Sequence, residues 1–97
     1  MNSPIKLTHI TPNHTSLTIG DAELHFSYAT PIFLYIAPAP AREAVSYTNT
    51  TFYSNTSSRH LQAAQDEYPH VPSIHVAADT FFRNLPHLLA PHWPKSP

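Results

Sequence analysis

Ala22-Glu23-Leu24-His25-Phe26-Ser27-Tyr28, continued beyond Ala29-Thr30-Pro31 by Ile32-Phe33-Leu34-Tyr35-Ile36, decides the fold class of this 97-residue chain. In the first run Ala22, Leu24, Phe26 and Tyr28 alternate with Glu23, His25 and Ser27, the period of a strand with one dry and one wet face. The second run is apolar at every position, which suits a central strand covered on both faces. Tyr35 therefore reads as core. On the N-terminal side, residues 5–10 and 15–19 read as short strands around the turn Thr11-Pro12-Asn13-His14. Gly20-Asp21 then turns the chain into residue 22. On the C-terminal side, Pro38-Ala39-Pro40-Ala41 reads as an extended loop, because proline removes ladder donors. Residues 44–48 follow as a strand antiparallel to the one before, and residues 51–54 extend the chain after an Asn49-Thr50 turn.

From residue 58 the period changes. Leu61, Ala64 and Tyr68 recur at i, i+3 and i+7, which predicts a helix over about 58–68. Thr56 or Ser57 can cap its start, and Pro69 stops it. After an extended stretch to residue 76, a short helix is expected over about 77–85, burying Phe81, Phe82 or both, until Pro86 breaks it. The expected fold is α+β: an antiparallel sheet of four to five strands with one main and one short helix. Residues 1–89 form one domain in this reading, and 90–97 a proline-rich tail in which Trp93 is either docked or loose.

Composition narrows the function classes. The chain has no cysteine, which removes thiolate nucleophiles, disulfides and cysteine-type zinc sites. Its one glycine, against eleven prolines, excludes glycine-rich phosphate loops. Five dispersed Lys and Arg residues are a poor footprint for nucleic acid. Eight histidines make the net charge pH-sensitive. There is no apolar run long enough for a membrane span and no signal-peptide layout at Met1-Asn2-Ser3-Pro4. The expected location is the cytoplasm, where the sequons at Asn13, Asn49 and Asn55 carry little meaning.

The histidines offer no local metal pair. His9/His14, His70/His75 and His87/His92 share an offset of five, which diverges on a helix and takes opposite faces on a strand. Neither a metal nor another cofactor is expected from such spacing. The helix start is more unusual. Tyr53-Ser54-Asn55-Thr56-Ser57-Ser58-Arg59-His60-Leu61 sets hydroxyls, a cation and an imidazole at the positive end of the helix dipole, while Asp66 and Glu67 lie at the negative end. Each such placement costs about 0.3–1 kcal/mol if uncompensated. An anion held by the free N–H groups with Arg59 would compensate. A hydroxyl cap, with Arg59 turned to a carboxylate elsewhere, explains the same residues. A catalytic reading would recruit His60 as base beside Ser54, Ser57 or Tyr53, but the local sequence supplies neither an orienting acid nor an oxyanion hole.

Leu24-His25-Phe26-Ser27-Tyr28-Ala29-Thr30-Pro31-Ile32, read with Tyr53 to Leu61, resembles a small uncharacterised domain of phages and mobile elements. That family pairs an aromatic-Ser-Tyr-x-Thr strand with an aromatic-Ser-x-Thr-Thr-x-Lys-His-hydrophobic helix start, and a Phe-bearing helix follows, as Asp79-Thr80-Phe81-Phe82 does here. The match covers residues 22–89, with Ser57 in place of Thr and Arg59 in place of Lys. The resemblance implies an accessory protein that binds a host protein, such as a defence component, without catalysis. Candidate contact residues are Ser54, Thr56, Ser57, Ser58, Arg59, His60 and His25, with the wet strand face of Glu23, His25 and Ser27. Tyr47, Tyr53 and Trp93 are candidate anchors. The alternative is a nucleotide- or phosphate-binding domain using Thr56–His60, which would take an anionic small molecule. An edge strand at residues 5–10 could also pair two copies into a homodimer.

Overall fold

Five consecutive strands run as an antiparallel meander: β1 Ile5–Thr11, β2 His14–Ile19, β3 Ala22–Ser27, β4 Thr30–Ile36 and β5 Val45–Asn49. The structure, a computed structural model, describes residues 5–40, 42–51 and 55–92, with only the backbone given for 55–57. Helix α1, Asn55–Asp66, then crosses to β6, Ser73–Val76, which pairs parallel to β5. Helix α2, Ala78–Leu89, and a single 3-10 turn at Ala90–His92 complete the described chain. Strand order follows sequence order from β1 to β6. No helix among the described residues is long and apolar enough to cross a membrane.

Directly opposed residues share a face of the sheet, so the register assigns the two faces. Ala22, Leu24, Leu34 and Ile36 form one buried face against Phe81 of α2, with Tyr47, Val76, Leu85 and Leu89 at its margin. On the opposite face Phe33 packs with Ile32, Leu61 and Ala64 under α1. The molecule is thus a sheet with one helix on each side, and β4 lies between β3 and β5. Leu61 and Ala64 both face the core, as their helical spacing predicts. Tyr35 stacks on Tyr68 with ring centroids 3.8 Å apart and is half-buried. Gly20 takes φ 56, and a Cβ there would stand 2.9 Å from the His92 carbonyl oxygen, so the β2–β3 turn needs glycine on both counts.

Several expectations are corrected. The sheet has six strands and is mixed, because the α1 crossover returns Ser73-Ile74-His75-Val76 parallel to β5. Four residues behind Pro69 and Pro72 are too short for a period to show. The main helix begins three residues before residue 58, and it ends at Asp66. The second helix does not stop at Pro86 but runs through it to Leu89. Proline leaves the Phe82 carbonyl without a helical partner, and Phe82 is 39% exposed, on the side where water can replace that bond. Leu88 and Leu89, packed on the core, reward the extra turn. The extension expected at residues 51–54 falls mostly outside the described residues.

Candidate functional site

The polar half of the β3 alternation does not face water. Register sets His14 opposite Ser27, Ser16 opposite His25 and Thr18 opposite Glu23, all on the face that α1 covers. The crossover lays α1 over β3 and β4 and lowers His60 onto this row. His25 is 0%, His14 1%, Ser27 1% and His60 8% exposed. The expectation of a wet Glu23, His25 and Ser27 face is therefore corrected: α1 needs a surface to pack on, and β3 presents two.

Four side chains form a continuous chain of hydrogen bonds. The Tyr68 hydroxyl donates to Glu23 Oε1 at 2.6 Å, and His25 Nε2 lies 2.7 Å from the same oxygen. His25 Nδ1 is 2.9 Å from His14 Nε2. A carboxylate only accepts, so in the neutral chain His25 Nε2 carries the proton and its Nδ1 accepts from His14 Nε2–H. His14 Nδ1 is then a bare lone pair, buried and without a hydrogen-bond partner. His60 lies beside it, ring centroids 5.0 Å apart, with its Nδ1 2.7 Å from Ser27 Oγ. Phe33 meets His25 edge-on, and Tyr28 reaches His60 from the rim. Tyr28 itself holds a positive φ of 56 immediately after Ser27.

Burial governs the protonation of this group. It pushes the His14 pKa down to about 4, helped by the neighbouring His25 and His60 imidazoles. Burial also lowers His60. The hydrogen bond from His25 holds Glu23 below the usual carboxylate range, against the opposing effect of burial and with help from Tyr68. Tyr68 is raised by burial and by its bond to the Glu23 carboxylate, so it stays a donor.

Ser27 and His60 have the spacing of a nucleophile and its base, yet the rest of a hydrolytic site is missing among the described residues. Glu23 is engaged by His25 and Tyr68 and does not orient His60. A reacting carbonyl has no path to a serine that is 1% exposed. The arrangement fits a polar lock between α1 and the sheet, in which nearly every buried atom has a partner.

Of the residues expected to bind, His25 and His60 lie inside this lock. Ser58 and Arg59 are exposed on the first turns of α1. Ser54 and the side chains of Thr56 and Ser57 lie outside the described residues, as do Tyr53 and Trp93. Ser58 borders a cleft of about 360 Å³ between α1 and the β5–β6 edge, lined also by Thr48, Thr50, Leu61, Gln62, Gln65 and His75. Tyr47 is half-buried beside the apolar core. Sequence reasoning did not bring together His14, Ser27 and Tyr68 with His25 and His60. Their separations of 11, 33 and 45 residues leave no local spacing to read. No protein-family model, curated protein or solved structure matches the chain.

Proposed function

We propose that this domain is a non-enzymatic binding module that recognises an extended segment of a partner protein by adding it as a strand beside β1. The observation that carries this reading is the state of β1. All seven of its residues are exposed, and it pairs with β2 on one side only. Leu7 is 58% and Ile10 43% exposed, and Lys6 is the strand's single charge. Monomeric proteins usually blunt such an edge with charges, proline or a covering element. Here the outer edge from Lys6 to Thr11 has no neighbouring strand among the described residues. An added strand would gain main-chain hydrogen bonds and an apolar neighbour for Leu7.

The sealed Ser27–His60 pair supports binding over catalysis. The resemblance of residues 22–89 to an accessory domain of phages and mobile elements favours a host protein as the partner. Affinity capture with the wild type and with Leu7→Lys tests the reading. A protein retained by the wild type and lost with the variant supports it. Retention by both, or self-association in place of a partner, overturns it.

The cleft beside Ser58 favours a second reading. Its volume lies in the range of small-molecule sites, and beside Leu61 its lining offers the Thr48, Thr50 and Ser58 hydroxyls, the Gln62 and Gln65 amides and the His75 imidazole. A nucleotide or phosphate ester held there would be released by Gln62→Ala, an exposed lining residue, without loss of fold. Absence of such binding to the wild type removes this reading.

A further inference from the structure

The far end of the polar lock opens on a second cluster. Beside the Glu23–His25 pair, Glu67 Oε1 stands 3.9 Å from His25 Nε2, and the donor atoms of Glu23, His25 and Glu67 all lie within 4.8 Å of one another. We propose that these three residues form a binding site for a divalent transition-metal cation of the Zn²⁺ type, with solvent completing its coordination.

Three separate features carry this. First, the spacing suits a metal. Ligand atoms about 2.0–2.1 Å from a tetrahedral ion stand about 3.3–3.4 Å apart, and the separations of 2.7 and 3.9 Å bracket that value. A movement of the Glu67 side chain, which is 55% exposed, together with opening of the 2.7 Å Glu23–His25 pair by a few tenths of an ångström, closes the set. One imidazole nitrogen with two carboxylates is a borderline donor set, which suits a transition metal better than calcium or magnesium.

Second, both inner ligands are already held by outer partners. Tyr68 O–H fixes Glu23, and His14 Nε2 lies against the far nitrogen of His25. A ligating histidine characteristically gives its other N–H to a carboxylate, a backbone carbonyl or water, and the His14 imidazole nitrogen takes that accepting place here. With a cation on Nε2, the His25 proton sits on Nδ1 and is donated to His14 Nε2, the reverse of the direction in the neutral chain. His14 then carries its own proton on Nδ1.

Third, the local field asks for a cation. Glu67 follows directly on Asp66, the last residue of α1, at the negative end of the helix dipole, and the last turn contains no basic residue. No Lys or Arg pairs with Glu23 or Glu67 among the described residues, where Arg42 with Asp21 is the Lys or Arg pair present. At this end of α1 the fold adds a second carboxylate, Glu23, and an imidazole, His25, from β3.

Zn²⁺ titrated into chelator-treated protein by calorimetry at neutral pH tests the site, with Co²⁺ absorption reporting geometry. One Zn²⁺ per chain is expected, bound at least tenfold more weakly by Glu67→Gln and by Glu23→Gln. Tyr68→Phe, a positioning change, is expected to weaken it tenfold or more while leaving the stoichiometry at one. Glu67→Gln alters an exposed side chain, so its fold is retained even if a His25 variant fails to fold. Binding that survives both glutamine variants would belong to the other histidines and would overturn the proposal. Absence of binding at 100-micromolar Zn²⁺, on the order expected for a weak adventitious site, would do the same.

Discussion

Ser27 Oγ and His60 Nδ1 lie 2.7 Å apart, and this bond joins β3 to α1 across 33 residues of chain. Both partners are buried, so each needs the other more than an exposed pair would. The bond converts the polar half of an alternating strand into the floor under a helix.

Ser27→Ala leaves His60 Nδ1 short of a buried partner. The expected loss is about 1–3 kcal/mol, the cost of an unsatisfied buried group. Urea unfolding of the two proteins measures it. An unchanged midpoint would remove the bond from the account of stability.

Acid should unfold this protein early. His14 is held to about pKa 4 in the folded state against its ordinary value of 6.5, so between those values the unfolded chain binds more protons. Its contribution is complete above pH 6.5 and is lost as pH falls toward 4, a total of about 3 kcal/mol. His60, also lowered, acts with the same sign below pH 6.5. Glu23, lowered by its His25 partner, contributes above its ordinary value of 4.5 and loses that contribution as pH falls through its folded value. Urea midpoints at pH 7.5, 6 and 5 should therefore fall in that order. A midpoint constant from 7.5 to 5 would contradict a buried neutral His14.

Tyr68→Phe keeps the ring stack on Tyr35 and removes the donor to Glu23. Glu23 is partly exposed, so water recovers some of the loss, and about 1 kcal/mol is expected. A double-mutant cycle with Glu23→Gln should show coupling, since both residues act through one oxygen. Additive effects would show that Tyr68 acts through packing alone.

The meander was legible because its signals are local. Alternation from Ala22 to Ser27 and the Gly20 turn each lie within a few residues, and the structure keeps them, while Tyr28, expected on the dry face, lies in the turn after β3 and is 55% exposed. What alternation could not show is whether Glu23, His25 and Ser27 face water or a second layer, since burial of polar residues depends on partners supplied from β2 and α1. His14 gave no sign of its role, because its partners His25 and His60 are distant in sequence. The five-residue histidine spacings carry no trace of it, because its partners lie 11 and 46 residues away in sequence. Strand β6 was hidden by its length and by the prolines before it. Pro86 misled for a different reason: a break was read from one lost hydrogen bond, while Leu88 and Leu89 had apolar surface to bury beyond it.

The exposed β1 edge carries the functional claim, and a photo-crosslinking residue at Thr8 tests it most directly. In a lysate of the organism that carries this gene, the Thr8 probe should form one specific protein adduct. A probe at Ala63, exposed on α1, should not form it. Adding Leu7→Lys should reduce the Thr8 adduct by tenfold or more, since burying a leucine contributes about 1.5–3 kcal/mol. Equal labelling from both positions, or a Thr8 adduct indifferent to Leu7→Lys, would contradict strand addition at β1.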